Sequence, residues 1–127
     1  MSKKVVQTSE APAAIGPYSQ AIDTGSIVFC SGQIALGADK NAAIPSDIQG
    51  QTEQVMKNVG AVLKAAGLGF SHVVKTTIFL TDMADFAVVN EIYGRHFPEN
   101  PPARSTVGVS ALPRGVQVEV EVVAARG

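Results

Sequence analysis

Apolar positions recur along this chain with two different periods, and the alternation between them lays out the elements. Ile48, Thr52, Val55, Val59, Val62 and Ala66 fall at steps of four, three, four, three and four, which is one stripe on a helix. Ser46-Asp47 in front supply a hydroxyl and an acid for the free amides of the first turn, and Gly67 closes the helix. A second stripe, Phe86, Val89, Tyr93 and Phe97, steps by three, four and four. Asp82 or Asp85 starts that helix, and Pro98 with Pro101-Pro102 ends it. Between the helices, residues 73–81 set Val74, Thr76, Ile78 and Leu80 against Lys75, Thr77, Phe79 and Thr81, the period of a strand.

Strand signals fill most of the remainder. Residues 3–8 read as a short edge strand and residues 11–19 as a loop of small residues and prolines. Residues 19–23 and 26–32 flank Thr24-Gly25 as a hairpin, with Ile27-Val28-Phe29-Cys30 continuously apolar; residues 37–45 are a polar loop. The order is β-β-β-α-β-α-β-β, an α+β chain in which two helices cover one face of a mixed sheet. The uncovered face is expected to carry Thr, Glu, Arg and small residues, and to meet either water or copies of itself.

The last quarter carries the candidate chemistry. Pro101-Pro102-Ala103-Arg104-Ser105-Thr106-Val107-Gly108-Val109 leads through Leu112-Pro113-Arg114-Gly115 into Val116-Gln117-Val118-Glu119-Val120-Glu121-Val122, two strands about a Pro/Gly turn that read as a hairpin. Closing it at Ala111 and Val116 sets Thr106 opposite Glu121; a shift of two sets it opposite Glu119. In either register Arg104, Thr106, Glu119 and Glu121 share a face. A permanently charged guanidinium beside an acceptor carboxylate suits a small anionic substrate, one group to clamp it and one to move protons.

Composition narrows the classes. The 127 residues suit a single domain over residues 1–127, 46% are hydrophobic and 17% charged, and the net charge is −1. No Lys/Arg run exceeds Lys3-Lys4, so no basic footprint for nucleic acid is present. One cysteine, Cys30, excludes an intrachain disulfide and a cysteine zinc site; with only His72 and His96 besides, no metal set is expected. Cys30 lies in an apolar run and reads as a small core residue, and neither histidine is assigned to chemistry. Met-Ser-Lys-Lys-Val-Val-Gln has no apolar leader core and no stretch approaches the ~20 apolar residues of a membrane span, so no membrane association and a cytoplasmic location are expected.

The Pro-Ala-Arg-Ser run, the Leu-Pro-x-Gly turn and the Val-Glu-Val-Glu-Val strand resemble the C-terminal signature of the Rid (YjgF/reactive-intermediate deaminase) family. Upstream, residues 14–21 (Ala-Ile-Gly-Pro-Tyr-Ser-Gln-Ala), Ser31-Gly32-Gln33 and Val74-Lys75-Thr76-Thr77 match the same family in the same order, so the likeness spans about residues 13–124. It implies a chorismate-mutase-like fold assembled as a homotrimer, with sites in the clefts between subunits.

The resemblance also implies roles. Arg104, which alone would read as an edge-strand cation that discourages aggregation, becomes the ligand of the substrate carboxylate. Glu119, the first acid of the Val-Glu-Val-Glu pattern, becomes the residue that positions water; Glu121 is left as a surface acid or a partner for a neighbouring subunit. Tyr18 becomes a wall of the cleft, Ser31 with Gly32 a hydroxyl and a close backbone approach, and Asn90 matches the family's Val-Asn pair. Thr106 is implied to join the substrate site, its strand helping Ser31 to polarise the imine; it stands where many members carry cysteine, so a thiol nucleophile is excluded there, and residues 97–102 form a shorter segment than in some relatives.

The implied activity is hydrolysis of 2-enamino and 2-imino acids, such as 2-aminoacrylate and 2-iminobutanoate, to 2-oxo acids and ammonia, without a cofactor. A trimer that binds 2-oxo acids without turnover is the alternative from another class. A ribonuclease or translation inhibitor fits the charge balance poorly, and chaperone-like holding would depend on exposed apolar area that sequence does not reveal.

Overall fold

The computed structural model describes residues 3–127; Met1 and Ser2, the start of the expected domain and of the leader reading, lie outside them. The chain runs β1 (Lys4–Val6), β2 (Ala21–Asp23), β3 (Ile27–Gln33), α1 (Ile48–Ala65), β4 (Val73–Leu80), α2 (Phe86–Gly94), β5 (Ala103–Gly108) and β6 (Val118–Ala125). That is the expected element order, in a mixed α+β fold with one six-stranded sheet of order β1-β2-β3-β6-β4-β5. Every neighbouring pair is antiparallel except β4 and β5.

Both helices form on the stripes, although α2 ends at Gly94, before Phe97 and the expected stop at Pro98. Asp47 caps α1, its Oδ2 accepting the Gly50 N–H at 3.1 Å. The helix stops at Gly67, whose φ of +78° an L side chain rarely adopts. Thr52, Val55, Val59, Val62 and Ala66 are buried as expected, and Met56 and Leu63 widen the stripe. Asp82 caps a short 3-10 turn, Met83–Asp85, that leads directly into α2. The core lies between α1 and the faces of β3, β4 and β6, where Val28, Val59, Leu63, Ile78, Leu80 and Val120 are fully or nearly fully buried.

The C-terminal hairpin does not form: β5 and β6 are separated by β4, which pairs with both. Val118, Val120, Val122 and Ala124 are buried, so β6 takes a central position with both edges paired, whereas β5 is an exposed edge strand. The chain between them steps over the end of β4. Val109 N–H donates to the Leu80 carbonyl at 2.8 Å, and Thr81 N–H to the Gln117 carbonyl at 3.2 Å. Pro113 opens a 3-10 turn rather than a tight hairpin loop, with Arg114 at φ 62°.

The shared face falls with the hairpin. Directly paired residues point the same way. Arg104 pairs with Thr76, and Thr76 with Val122; Thr106 pairs with Ile78, and Ile78 with Val120. Both Arg104 and Thr106 therefore lie on the helix-covered face. Glu119 pairs with Phe79 and Glu121 with Thr77, on the open face. That open face is also more apolar than expected: Phe29 is 52% exposed there, with Val5 and Val107 likewise exposed and no arginine from β5.

Candidate active site

Four of the sequence-predicted residues meet on the open face. Tyr18, Ser31, Gly32 and Glu119 line one hollow of about 540 Å³, together with Arg114 and an apolar wall that includes Ile34. Local interactions hold this hollow open. Gln20, buried, accepts from Thr8 N–H at 2.7 Å and donates to the carbonyls of Thr8 and Pro12 at 3.1 and 2.8 Å, which pins the N-terminal loop. The Ser31 hydroxyl donates to the Ser19 carbonyl at 2.6 Å and Ser31 N–H to the Gln20 carbonyl at 2.9 Å, fixing Tyr18 at the rim. On the opposite wall Asn58 of α1 donates to the carbonyls of Ile34 and Leu36 at 3.0 and 2.7 Å.

A register shift between Cys30 and Gln33 locally loosens β3 against β6 beside Glu119. Gly32 is the reason the carboxylate fits: a Cβ there would run into the end of the Glu119 side chain. Burial, and then the neighbouring charge of Glu121, push the Glu119 pKa above the ordinary 4.5. A half-buried acid with a raised pKa is a stronger base when ionised, and holds a proton more readily, than a surface glutamate.

Arg104, Asn90 and Thr106 gather elsewhere. Arg104 Nη1 donates to Asn90 Oδ1 at 2.7 Å, and its Cζ lies 5.4 and 5.1 Å from the ring centres of Phe86 and Tyr93 on α2. Among the described residues no carboxylate pairs with Arg104. The Thr106 hydroxyl is buried without a hydrogen-bond partner among them. This group lies across the sheet from Glu119, so one copy of the chain does not bring guanidinium and carboxylate to one small molecule.

The aromatic seat of Arg104 was not read from the sequence, where Phe86 and Tyr93 counted only as core. The signal was available: Phe86, Asn90 and Tyr93 stand at i, i+4 and i+7 on one strip of α2, and an amide interrupting an apolar strip marks a polar contact. Arg114 on the rim of the Glu119 hollow was also missed, because only a turn role attached to its position. Cys30 is buried and its pKa is pushed up to about 11 by that burial, as a core thiol's should be. Among the described residues no three His, Cys, Asp or Glu side chains cluster as metal ligands would, and no helix is long and apolar enough to cross a membrane.

The family described as endoribonuclease L-PSP matches residues 8–126. Protein DfrA of Myxococcus xanthus is 55% identical, with 98% of this chain and 96% of that protein covered. The 2-iminobutanoate/2-iminopropanoate deaminase of Mus musculus is 47% identical over 98% of this chain and 93% of its own. Among solved structures, E. coli TdcF with bound serine superimposes with a TM-score of 0.92 at 43% identity, covering 98% of this chain and 99% of that one.

Proposed function

Because this chain belongs to the endoribonuclease L-PSP family, whose members include the Rid proteins, we propose that it hydrolyses 2-imino and 2-enamino acids to 2-oxo acids and ammonia. The names of its relatives support an imine deaminase, and the finer assignment rests on one observation: a half-buried Glu119 with a raised pKa beside Gly32 and Ser31, in a hollow without a phosphate loop or nucleophilic thiol. TdcF with serine bound is a relative that holds a small amino acid, whose carboxylate Arg104 would take in this chain.

The reaction needs little equipment. Arg104 holds the substrate carboxylate through paired N–H···O bonds. Tyr18 and backbone groups near Ser31 face the imine. The Glu119 carboxylate takes a proton from water as the oxygen attacks the imine carbon and the C=N π electrons move to nitrogen. The same proton then goes to nitrogen, giving the carbinolamine; Glu119 next takes the remaining O–H proton and passes it to the amine, the C–N bond breaks as the C=O forms, and ammonia leaves with Glu119 ionised again. The substrate is unstable in water, so a modest lowering of the barrier suffices, and no cofactor is required. The polyanion chemistry of a ribonuclease has no Lys/Arg–aromatic stripe to support it here.

We further propose that the site is completed between copies, as a homotrimer. Arg104 and Glu119 lie on opposite faces of one sheet. Joining them therefore requires the open face of one copy to meet the β5 and α2 edge of the next. Two different patches make a head-to-tail contact, which closes into a trimeric ring where the rotation between copies is three-fold, and the exposed Phe29, Val5 and Val107 are apolar surface for it to cover.

The activity test is a coupled assay. A dehydratase or amino-acid oxidase generates 2-aminoacrylate or 2-iminobutanoate in the presence of semicarbazide, and semicarbazone formation is followed. The protein is expected to suppress the trapped product. An unchanged semicarbazone rate, with tight 2-oxobutanoate binding, would establish the binding trimer instead. For the shared site, equimolar Arg104→Ala and Glu119→Gln copies, each nearly inactive at imine concentrations well below KM, are unfolded and refolded together. About a quarter of wild-type activity returns if every site joins two copies of a trimer; none returns if each chain holds its own site.

A further inference from the structure

We propose that Tyr93 and Thr76 are positioning residues: a buried hydroxyl pair that locks an aromatic ring beneath the Arg104 guanidinium and so aims its free N–H groups at a substrate carboxylate. This rests on the reading of Arg104 given above.

Arg104 begins an exposed edge strand, where a long cationic side chain ordinarily samples many rotamers. Here it is held. The rings of Phe86 and Tyr93 pack against it and Asn90 takes one Nη1 proton. Its counter-partner is thus a neutral amide, and the charge stays uncompensated for an incoming anion. A ring under a guanidinium leaves the in-plane N–H groups free, as a bidentate contact to a carboxylate needs.

What fixes the ring lies one layer deeper. Thr76 is the register partner of Arg104 on the adjacent strand, on the same face, and is 0% exposed. Tyr93 is 4% exposed, and its hydroxyl lies 2.7 Å from Thr76 Oγ1. A buried hydroxyl demands a partner, so the phenol is confined to the one tilt that reaches Thr76. An apolar pair would fill the same volume without choosing an angle. Burial also pushes the Tyr93 pKa up, so it remains neutral beside the cation. The Val-Lys-Thr-Thr segment, to which no role attached in the sequence, acquires one: its first threonine anchors the seat of the arginine two strands' width from the Glu119 hollow.

The test compares 2-oxobutanoate affinity, KM and kcat for wild type, Tyr93→Leu, Tyr93→Phe, Thr76→Val and Thr76→Ser, each first shown to be folded. Tyr93→Leu is expected to weaken 2-oxobutanoate and raise KM by about 5–30-fold, with kcat within about twofold. Tyr93→Phe and Thr76→Val should each cost about 2–5-fold, and Thr76→Ser, which keeps the hydroxyl, should restore the wild-type value. In an Arg104→Lys background, where the planar fork is absent, Tyr93→Leu should change affinity by less than about twofold. Wild-type affinity in folded Tyr93→Leu, or an equal loss in both backgrounds, would overturn the proposal. If Tyr93→Leu does not fold, unchanged KM in both Tyr93→Phe and Thr76→Val overturns it. A wild-type protein that neither binds 2-oxobutanoate nor suppresses the semicarbazone overturns the functional reading, and this inference with it.

Discussion

The two groups that would act on one substrate are built differently. Around Arg104 everything is in place within a single chain: two rings, an amide acceptor and a buried hydroxyl pair hold the cation before any ligand arrives. Around Glu119 the floor is finished, with Gly32 beneath the carboxylate and Ser31 fixing the Tyr18 loop, but the hollow is open and Tyr18 is 54% exposed. On the proposed roles, the group that would recognise charge is preorganised by intrachain packing, whereas the group that would move protons depends on how far its surroundings are closed. The difference follows from the sheet. The two helices already cover one face, and within a single chain the other is left open.

Substitutions should divide along the same line. The largest effect is expected for Glu119→Gln, which removes the base while keeping the shape: kcat should fall by about 10²–10⁴-fold while 2-oxobutanoate affinity stays within about threefold. Arg104→Ala should instead weaken that affinity by about 10–100-fold. If both variants lose affinity alike, the division of labour between the two regions is wrong.

Gly32→Ala sharpens the comparison on the Glu119 side. The added Cβ meets the end of a flexible side chain, so the carboxylate moves and the fold does not. A loss of about 10-fold in kcat, with the melting temperature nearly unchanged, is expected from steady-state assays and calorimetry. The two faces should also differ in stability. Leu63→Ala beneath the helices should cost about 2–5 kcal/mol by urea denaturation, whereas Phe29→Asp on the open face should leave the secondary structure intact and shift sedimentation toward single copies.

The smallest effect is a shift in pH dependence. Because burial and then Glu121 raise the Glu119 pKa, the ionised base is lost as pH falls through a value above the ordinary 4.5. The acid limb of kcat should therefore lie above that value, and Glu121→Gln should move it down. The same shift has a stability consequence. The folded state binds the Glu119 proton more tightly than the unfolded chain, a contribution complete below the ordinary value and lost as pH rises through the raised one. Glu119→Gln should accordingly gain stability relative to wild type more at pH 8 than at pH 4, read from denaturation midpoints.

Much of this was legible in the residues. The α1 and α2 stripes, the Asp47 cap and the turn between β2 and β3 all follow from interactions within a few residues. The Arg104–Asn90 contact was partly legible, since motif likeness named both residues but nothing in the sequence joined them. The hairpin was misread because Leu112-Pro113-Arg114-Gly115 carries the local chemistry of a turn, and a turn is silent about which strands it connects in space.

Sequence by itself determined the elements, their order, the buried stripes of the helices and the buried valine face of β6 and, through its motifs, the residues worth watching. Those properties depend on near neighbours along the chain, where periodicity and capping act. Only the tertiary structure decided that β4 enters between β5 and β6, and hence that Arg104 faces α2 while Glu119 faces the open side. That choice is a competition among strands for the centre of the sheet. The unbroken valine face of β6 gains most from being covered by α1 and paired on both edges, and a window of sequence does not contain its rivals.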